Sequence, residues 1–352
     1  MTRVPRILHI GVGAFARSHQ AWYTAVASDN WGIVGYRGRV LPALADQGFR
    51  YGMIVRGPET DAVTEIDCMV GTAEPSVLAD PSIAVATLTI TEAGYLPGQP
   101  AALALVEGLR ARRAADSGPI AIVPCDNLPG NGGVIREAVL AVAEPHLASW
   151  IDDSVSFVST MVDRITPAAT DGDRAIASAA LGWDDAAPVV TEAFTEWVLE
   201  GDFPAGRPDW ERAGAQFVTD VTPYENRKLW MLNGAHSLLA YRGLESGYAT
   251  VFEAYADAEL RAEVEQLWTD ARAVLDLPAE GVESWLAALR IRWSNPRIEH
   301  RLAQIAQGGE QKIAARIFSL DEARRAAGLP ISIPGVEATA AWLRYQSNRR
   351  KK

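Results

Sequence analysis

The sequence predicts an α/β protein: a Rossmann-like, doubly wound and mainly parallel sheet, followed by a mostly α-helical C-terminal domain. Three observations carry this. Short apolar runs alternate with helical stretches through the first half of the chain. A glycine-rich turn directly follows the first of those runs. Beyond residue 220 the pattern changes to long Ala/Leu/Arg-rich stretches of helical periodicity. The chain is therefore divided into residues 1–220 and residues 221–352, and two domains suit a length of 352 residues.

In chain order, Ile7-Leu8-His9-Ile10 is the first strand. Gly11 and Gly13 break the apolar run at once, and Arg17 and His19 follow, so the opening is read as core and not as a secretory leader. A helical stretch runs through Trp22 and Val26. Further strands are expected at Trp31 to Tyr36, Val85 to Ile90, Ile120 to Val123, Ser156 to Val162 and Gln216 to Val221. Helices are expected from Asp257 to Leu277 and from Gly281 to Trp293. In a doubly wound sheet, ligands bind beyond the carboxyl ends of the strands, where several polar motifs of this sequence fall.

Composition narrows the function. With 48% hydrophobic and 22% charged residues the chain can bury two cores and is not disordered. The 33 Lys+Arg against 44 Asp+Glu give a net charge of −11, which disfavours nucleic acid or an anionic membrane as partner. No apolar run approaches the ~18 residues of a membrane span. Two cysteines, Cys68 and Cys125, give no disulfide framework, so the reducing cytoplasm is the expected compartment. No metal site is expected, since Cys-x-x-Cys and His-Glu-x-x-His spacings are missing. No Gly-x-Ser-x-Gly elbow points to hydrolysis. A small molecule is the expected partner, and a monomer or small homo-oligomer is the expected state.

Gly11-Val12-Gly13-Ala14-Phe15-Ala16 fits the G-x-G-x-x-[GA] fingerprint at a strand-to-helix turn. Gly11 permits the tight turn, Gly13 lets the backbone approach a pyrophosphate, and Ala16 lets helix pack on strand. Backbone N–H groups at Ala14 and Phe15 would hold the anion. Residues 1–220 are therefore expected to bind a dinucleotide. The acidic residue that usually holds the ribose 2′-OH is missing after the second strand, which runs into Tyr36-Arg37-Gly38-Arg39. Arg37 and Arg39 either accommodate a 2′-phosphate or are solvated loop charges, which leaves both NAD and NADP open.

The densest polar constellation is Pro223-Tyr224-Glu225-Asn226-Arg227-Lys228-Leu229-Trp230-Met231-Leu232-Asn233-Gly234-Ala235-His236. On an α-helix, Glu225, His236 and Asn233 lie about 60°, 80° and 140° round from Lys228, within one arc. The other sides are apolar, as in a buried helix. Alcohol–ketone redox gives such a face a purpose. A lysine partly desolvated in a cleft has its pKa lowered and can exchange the hydroxyl proton. Asn233 can stabilise the developing alkoxide, His236 can orient a hydroxyl, and Glu225 can relay the proton to solvent. The alternative is a Lys228 that snorkels or pairs with Glu225.

Three more motifs fall at expected strand ends: Thr89-Ile90-Thr91-Glu92-Ala93-Gly94-Tyr95, Pro124-Cys125-Asp126-Asn127-Leu128-Pro129-Gly130-Asn131-Gly132 and Met161-Val162-Asp163-Arg164-Ile165-Thr166-Pro167. They place Thr91 and Glu92 as cofactor contacts and Arg164 as a substrate contact, although each motif also suits plain turn chemistry.

Together these stretches resemble the mannitol dehydrogenase family of long-chain, metal-independent polyol dehydrogenases and reductases, which includes hexuronate reductases. The matching runs are GVGAFARSHQA, TLTITEAGY, CDNLPGNG, TMVDRITP, PYENRKLWMLNGAHS and NPRIEHRLAQIAQGGEQKIAARI, in family order from residue 11 to residue 317. The resemblance implies Lys228 as general acid/base, Asn127 and Asn233 as an oxyanion-stabilising pair, and Asp163 as support. It further implies that His236 binds substrate, that Lys312 lies near it, and that the cofactor is NAD. The implied reaction interconverts a polyol and its ketose. The alternative is reduction of a hexuronate such as fructuronate or tagaturonate, with a phosphorylated polyol behind it, and a non-catalytic dinucleotide-binding protein stands further behind. Departures from the family pattern are Ala93, where a basic residue is common, and Gly308 and Glu310, where Asp and Ser are more frequent.

Overall fold

The computed structural model describes residues 3–27, 29–36 and 42–350. Arg37 and Arg39 lie outside the described residues. The chain divides into two compact units, Met1–Val221 and Thr222–Lys352.

Among the described residues, the first unit is built on twelve strands in three sheets. In chain order they are β1 (Val4–Ile10), β2 (Trp31–Tyr36), β3 (Tyr51–Arg56), β4 (Asp61–Ile66), β5 (Met69–Ala73) and β6 (Val85–Leu88). Then come β7 (Ile120–Pro124), β8 (Val155–Phe157), β9 (Ser159–Asp163), β10 (Val189–Glu192), β11 (Glu196–Glu200) and β12 (Gln216–Val218). The main sheet has six strands in the order β5-β2-β1-β6-β7-β8, and every pair in it is parallel. Two three-stranded sheets, β10-β3-β4 and β12-β11-β9, are mixed.

Burial on both faces explains why the main strands read as apolar runs without alternation. Successive residues point to opposite faces: Ile7, Ile33 and Val85 join one core cluster, while Leu8, Val34 and Ala86 join another. From β1 the chain winds outward through β2 and β5, then returns to wind the other way through β6, β7 and β8. The reversal lies between β1 and β6, and crevices for ligands open at the carboxyl ends of such a pair. The expected parallel sheet is therefore present.

Two expectations need correction. The run from Ser156 to Val162 is not one strand: it ends β8 in the main sheet and begins β9 in another. The side chain of Asn131 accounts for the break. Its Oδ1 accepts the Thr160 N–H at 2.9 Å and its Nδ2 donates to the Thr160 carbonyl at 2.9 Å, replacing a strand partner. The helical stretch after the glycine turn is likewise two helices, Ala14–Ser18 and Gln20–Val26, broken at His19.

The second unit is helical throughout its regular structure. Its longer helices are Gly234–Glu245, Ala258–Arg272, Ala279–Trp293 and Ile333–Arg350. Buried Leu238, Tyr241, Val264, Trp268, Leu289, Trp293, Leu302 and Leu320 form its interior. Two segments, Lys228–Asn233 and Ala314–Phe318, are π-helical. Among the described residues, no helix is long and apolar enough to cross a membrane.

Candidate active site

In the first unit a cavity of about 740 Å³ opens at the carboxyl ends of β1 and β6. Of the sequence-predicted residues, Gly11, Gly13, Ala14, Phe15, Thr91, Asn127 and Arg164 line it, together with Tyr36, Thr89, Ile90, Cys125 and Asp126. Glu92 is exposed in the short 3-10 turn Glu92–Tyr95 and is not among the lining residues. Asp163 is buried at the end of β9, opposite Glu196 across the ladder. The volume lies in the range of small-molecule and cofactor sites.

The two glycines of the turn serve different ends. Gly11 has φ +98°, and a Cβ there would lie 2.0 Å from the Thr89 carbonyl oxygen, so only glycine lets β1 and β6 approach at this point. A Cβ on Gly13 would meet only the Gly11 carbonyl, at 3.8 Å. Packing of the chain does not demand a glycine at 13; space in the cavity does, as expected where backbone must approach a pyrophosphate. The donor set and the cleared space fit a dinucleotide.

The turn is held from behind. Thr89 Oγ1 donates to the Gly11 carbonyl at 2.6 Å, His9 Nε2 reaches Thr89 Oγ1 at 3.0 Å, and His9 Nδ1 reaches Thr87 Oγ1 at 2.7 Å. The chain of bonds is satisfied when His9 is neutral with its proton on Nε2. Burial, which lowers the His9 pKa to about 4, keeps it so. Buried Arg17 donates through Nε to the Gly13 carbonyl at 3.3 Å. On the opposite lip, Asp126 accepts the Ile90 N–H through both oxygens and the Tyr95 hydroxyl at 2.6 Å.

Arg164 both lines the cavity and is tied into its wall. Its guanidinium donates to the carbonyls of Ser18 and Glu192 and lies over the Trp22 ring, 4.8 Å from the centroid. Burial lowers its pKa to about 10, still charged at neutrality. Those contacts make Arg164 a brace of the cavity wall.

In the second unit, Glu225 sits half-buried in the helix Thr222–Arg227, and Lys228 begins the π segment, 8% exposed. The π-turn revises the α-helical geometry expected from the sequence. Its hydrogen bonds run i to i+5 and its turn is wider. Five residues therefore bring Asn233 round toward the azimuth of Lys228, where an α-helix sets them about 140° apart. His236 follows in the first turn of Gly234–Glu245, 6% exposed. Its Nε2 has no hydrogen-bond partner among the described residues. The ring meets His300 edge-on at 4.7 Å and Trp293 at 5.1 Å. Burial holds its pKa well below the ordinary value, and His300, Arg292, Arg316 and Lys228 push it the same way. Lys312 Nζ donates to the Ile305 carbonyl at 3.0 Å.

Sequence reasoning passed over His9, Asp126, His300 and Arg316. Asp126 and His300 stood inside quoted motifs, so the signal was present. His9 and Arg316 also stood in quoted runs, but they act through residues far away in sequence, which no local pattern marks.

A doubly wound parallel sheet with a glycine turn at its switch point, joined to a helical unit carrying a buried Lys, a half-buried Asn and a buried His, defines the class of Rossmann-type dinucleotide-dependent oxidoreductases. The comparisons fix the family. Residues 5–212 match the mannitol dehydrogenase Rossmann domain and residues 220–352 the mannitol dehydrogenase C-terminal domain. The chain belongs to the mannitol dehydrogenase family. It is 36% identical to the D-mannonate oxidoreductase of Escherichia coli strain K12 over 361 residues, covering 89% of this chain and 74% of that protein. It is 33% identical to the polyol:NADP oxidoreductase of Gluconobacter oxydans, covering 92% and 76%. The solved Pseudomonas fluorescens mannitol 2-dehydrogenase, a ternary complex with NAD and D-mannitol, superimposes with a TM-score of 0.83 at 33% identity, covering 98% of this chain and 79% of that one.

Proposed function

We propose that this chain interconverts a mannitol-like polyol and its ketose, with Lys228 as the acid/base. The cofactor is NAD or NADP, which when bound accepts or supplies the hydride. The observation that carries the reading is the segment from Lys228 to His236. There a buried amine, a half-buried amide and a buried imidazole with a free ring nitrogen follow one another around a π-turn.

In the direction of oxidation, the carbinol C–H leaves as hydride and the O–H proton passes to Lys228 Nζ. Asn233 and Asn127 donate to the oxygen as negative charge develops on it. His236 is neutral, so its Nε2 can bond a neighbouring substrate hydroxyl without carrying charge into the site. Glu225, three residues before Lys228, passes the proton on to solvent. The family resemblance gives Asp163 a supporting role and Lys312 a place near the substrate. The partners are small polyols, ketoses or sugar acids, with no nucleic acid or membrane involved, and the enzyme works as a monomer or small homo-oligomer.

A second reading, a carboxylate-bearing substrate such as an aldonate or hexuronate, is favoured by the charges around His236. Arg292, Arg316, Lys228 and the protonatable His300 all act on it with the same sign.

Absorbance of NADH and NADPH followed with fructose, fructuronate, tagaturonate and fructose 6-phosphate decides between the two. Turnover of fructose alone supports the polyol reading, and turnover confined to the uronates transfers the assignment to the sugar acids. With the preferred ketose, Lys228→Ala should lower kcat by at least about 100-fold while cofactor affinity stays within a few-fold of the parent. Unchanged turnover in that variant refutes the lysine mechanism.

A further inference from the structure

We infer that Arg316 is a positioning residue for the reaction: its guanidinium fixes the end of the π-turn that carries Lys228 and Asn233. The inference rests on the reading of those two residues as acid/base and oxyanion donor. Arg316 lies in the other π segment, Ala314–Phe318, and is half-buried. Its Nη1 donates to the Asn233 carbonyl at 3.3 Å and to the Ser237 hydroxyl at 3.1 Å. Asn233 is the last π residue and Gly234 the first of the following α-helix. Arg316 thus holds the backbone where one hydrogen-bond register gives way to the other.

Two further contacts bring the segments together. Trp230 Nε1, inside the first π-turn, donates to Ser319 Oγ at 2.9 Å, just past the second. Gly234 packs closely enough that a Cβ on it would lie 3.7 Å from the Arg316 carbonyl oxygen. Burial lowers the Arg316 pKa to about 10, opposed by Tyr241. The guanidinium stays charged at neutral pH, and charge-assisted bonds of this kind are roughly twice as strong as neutral ones.

The physical need follows from the geometry of the turn. π-turns are rare, occur as single turns within α-helices and concentrate at functional sites. An unusual backbone persists only where its surroundings over-determine it. If the segment relaxed to α, Asn233 would swing away from the azimuth of Lys228, and the amine and amide would no longer be aimed together. Displacements of about 1 Å in such groups cost on the order of 100-fold in rate.

Arg316→Gln and Arg316→Lys test this in the full-length protein. Hydrogen exchange is read first because it needs no substrate. Arg316→Gln should speed exchange across residues 228–237 by at least about tenfold, while residues 1–221 keep the parent's rates. Arg316→Lys keeps a cationic donor and should stay within about threefold of the parent. With the substrate found above, the Gln variant should lose about 100-fold in kcat at nearly constant KM. Unchanged exchange in 228–237, a general loosening of both units, or a Lys variant no better than Gln would each overturn the inference. A higher KM at unchanged kcat would overturn it too, making Arg316 a substrate contact. Lys228→Ala separates the two levels of argument. Turnover surviving in Lys228→Ala defeats the mechanism, while normal behaviour of Arg316→Gln beside an inactive Lys228→Ala defeats only the positioning role.

Discussion

Asp126 shows how one side chain couples cavity geometry to pH. It ties the Ile90 backbone and the Tyr95 hydroxyl to the β7 end, and burial raises its carboxyl to about 6. Donation from Ile90 and Tyr95 favours the carboxylate, yet desolvation outweighs it. In the unfolded chain the same group titrates near 4. Between about pH 4 and pH 6 the native state therefore binds more protons than the unfolded state, and this contribution to stability is lost as pH rises through 6. Its size is on the order of 2 kcal/mol. His9, lowered to about 4, has the opposite slope between about 4 and 6.5, so the parent's own profile conceals both. The difference between parent and Asp126→Asn isolates the carboxyl. Urea unfolding at pH 4 and pH 7 should show the variant gaining on the parent by about 2 kcal/mol over that interval. A pH-independent difference would refute the assignment.

At the scale of elements, Asn131 decides where β8 ends and β9 begins. Its amide serves both backbone groups of Thr160, 29 residues away, and Nδ2 also reaches the Asp126 carbonyl at 3.1 Å. Asn131→Ala strands buried polar groups, a loss on the order of 3 kcal/mol in urea unfolding. Asn131→Asp should be no better at pH 7, because it faces the Thr160 carbonyl with an acceptor; a variant as stable as the parent would show that the bonds are dispensable. This contact also marks the limit of what the sequence makes legible. The runs that became β1, β2, β6 and β7 are locally apolar and ended by polar or glycine residues, so they could be read directly. A strand broken by an amide from a distant helix leaves no local mark. Nor does the π-turn at Lys228–Asn233, whose residues keep an ordinary α-helical periodicity. The hairpin of β3 and β4 was a missed signal of another kind. Gly57-Pro58-Glu59-Thr60 stands between an apolar run and an alternating one, and the Gly57 N–H closes it on the Thr60 carbonyl at 3.0 Å. The Lys, Asn and His of the candidate site were legible because their spacing is local, whereas the groups that brace them are not.

For the molecule as a whole, the open matter is which cofactor the first unit selects, and the thermodynamics of binding supplies the measurement. A ligand bound only by the folded state stabilises it by about 2.7 kcal/mol at 100 times its Kd. Exchange of the slowest amides of residues 1–221 should report that gain, with the strongest protection at Gly13 to Phe15, Thr89 to Thr91 and Cys125 to Asn127, which face the cavity. No gain at saturating NADH or NADPH would remove the dinucleotide from this cavity. The concentrations at which NADH and NADPH reach the same protection then compare their affinities directly. Tyr36 at the end of β2 lines the cavity, and the following residues carry Arg37 and Arg39 in place of an acidic group. If those guanidiniums hold a 2′-phosphate, Arg37→Ala should raise the NADPH concentration required by about tenfold and leave that for NADH nearly unchanged, because a single charge-assisted contact is worth roughly 1.5–3 kcal/mol. Equal shifts for both nucleotides would refute a 2′-phosphate contact at Arg37.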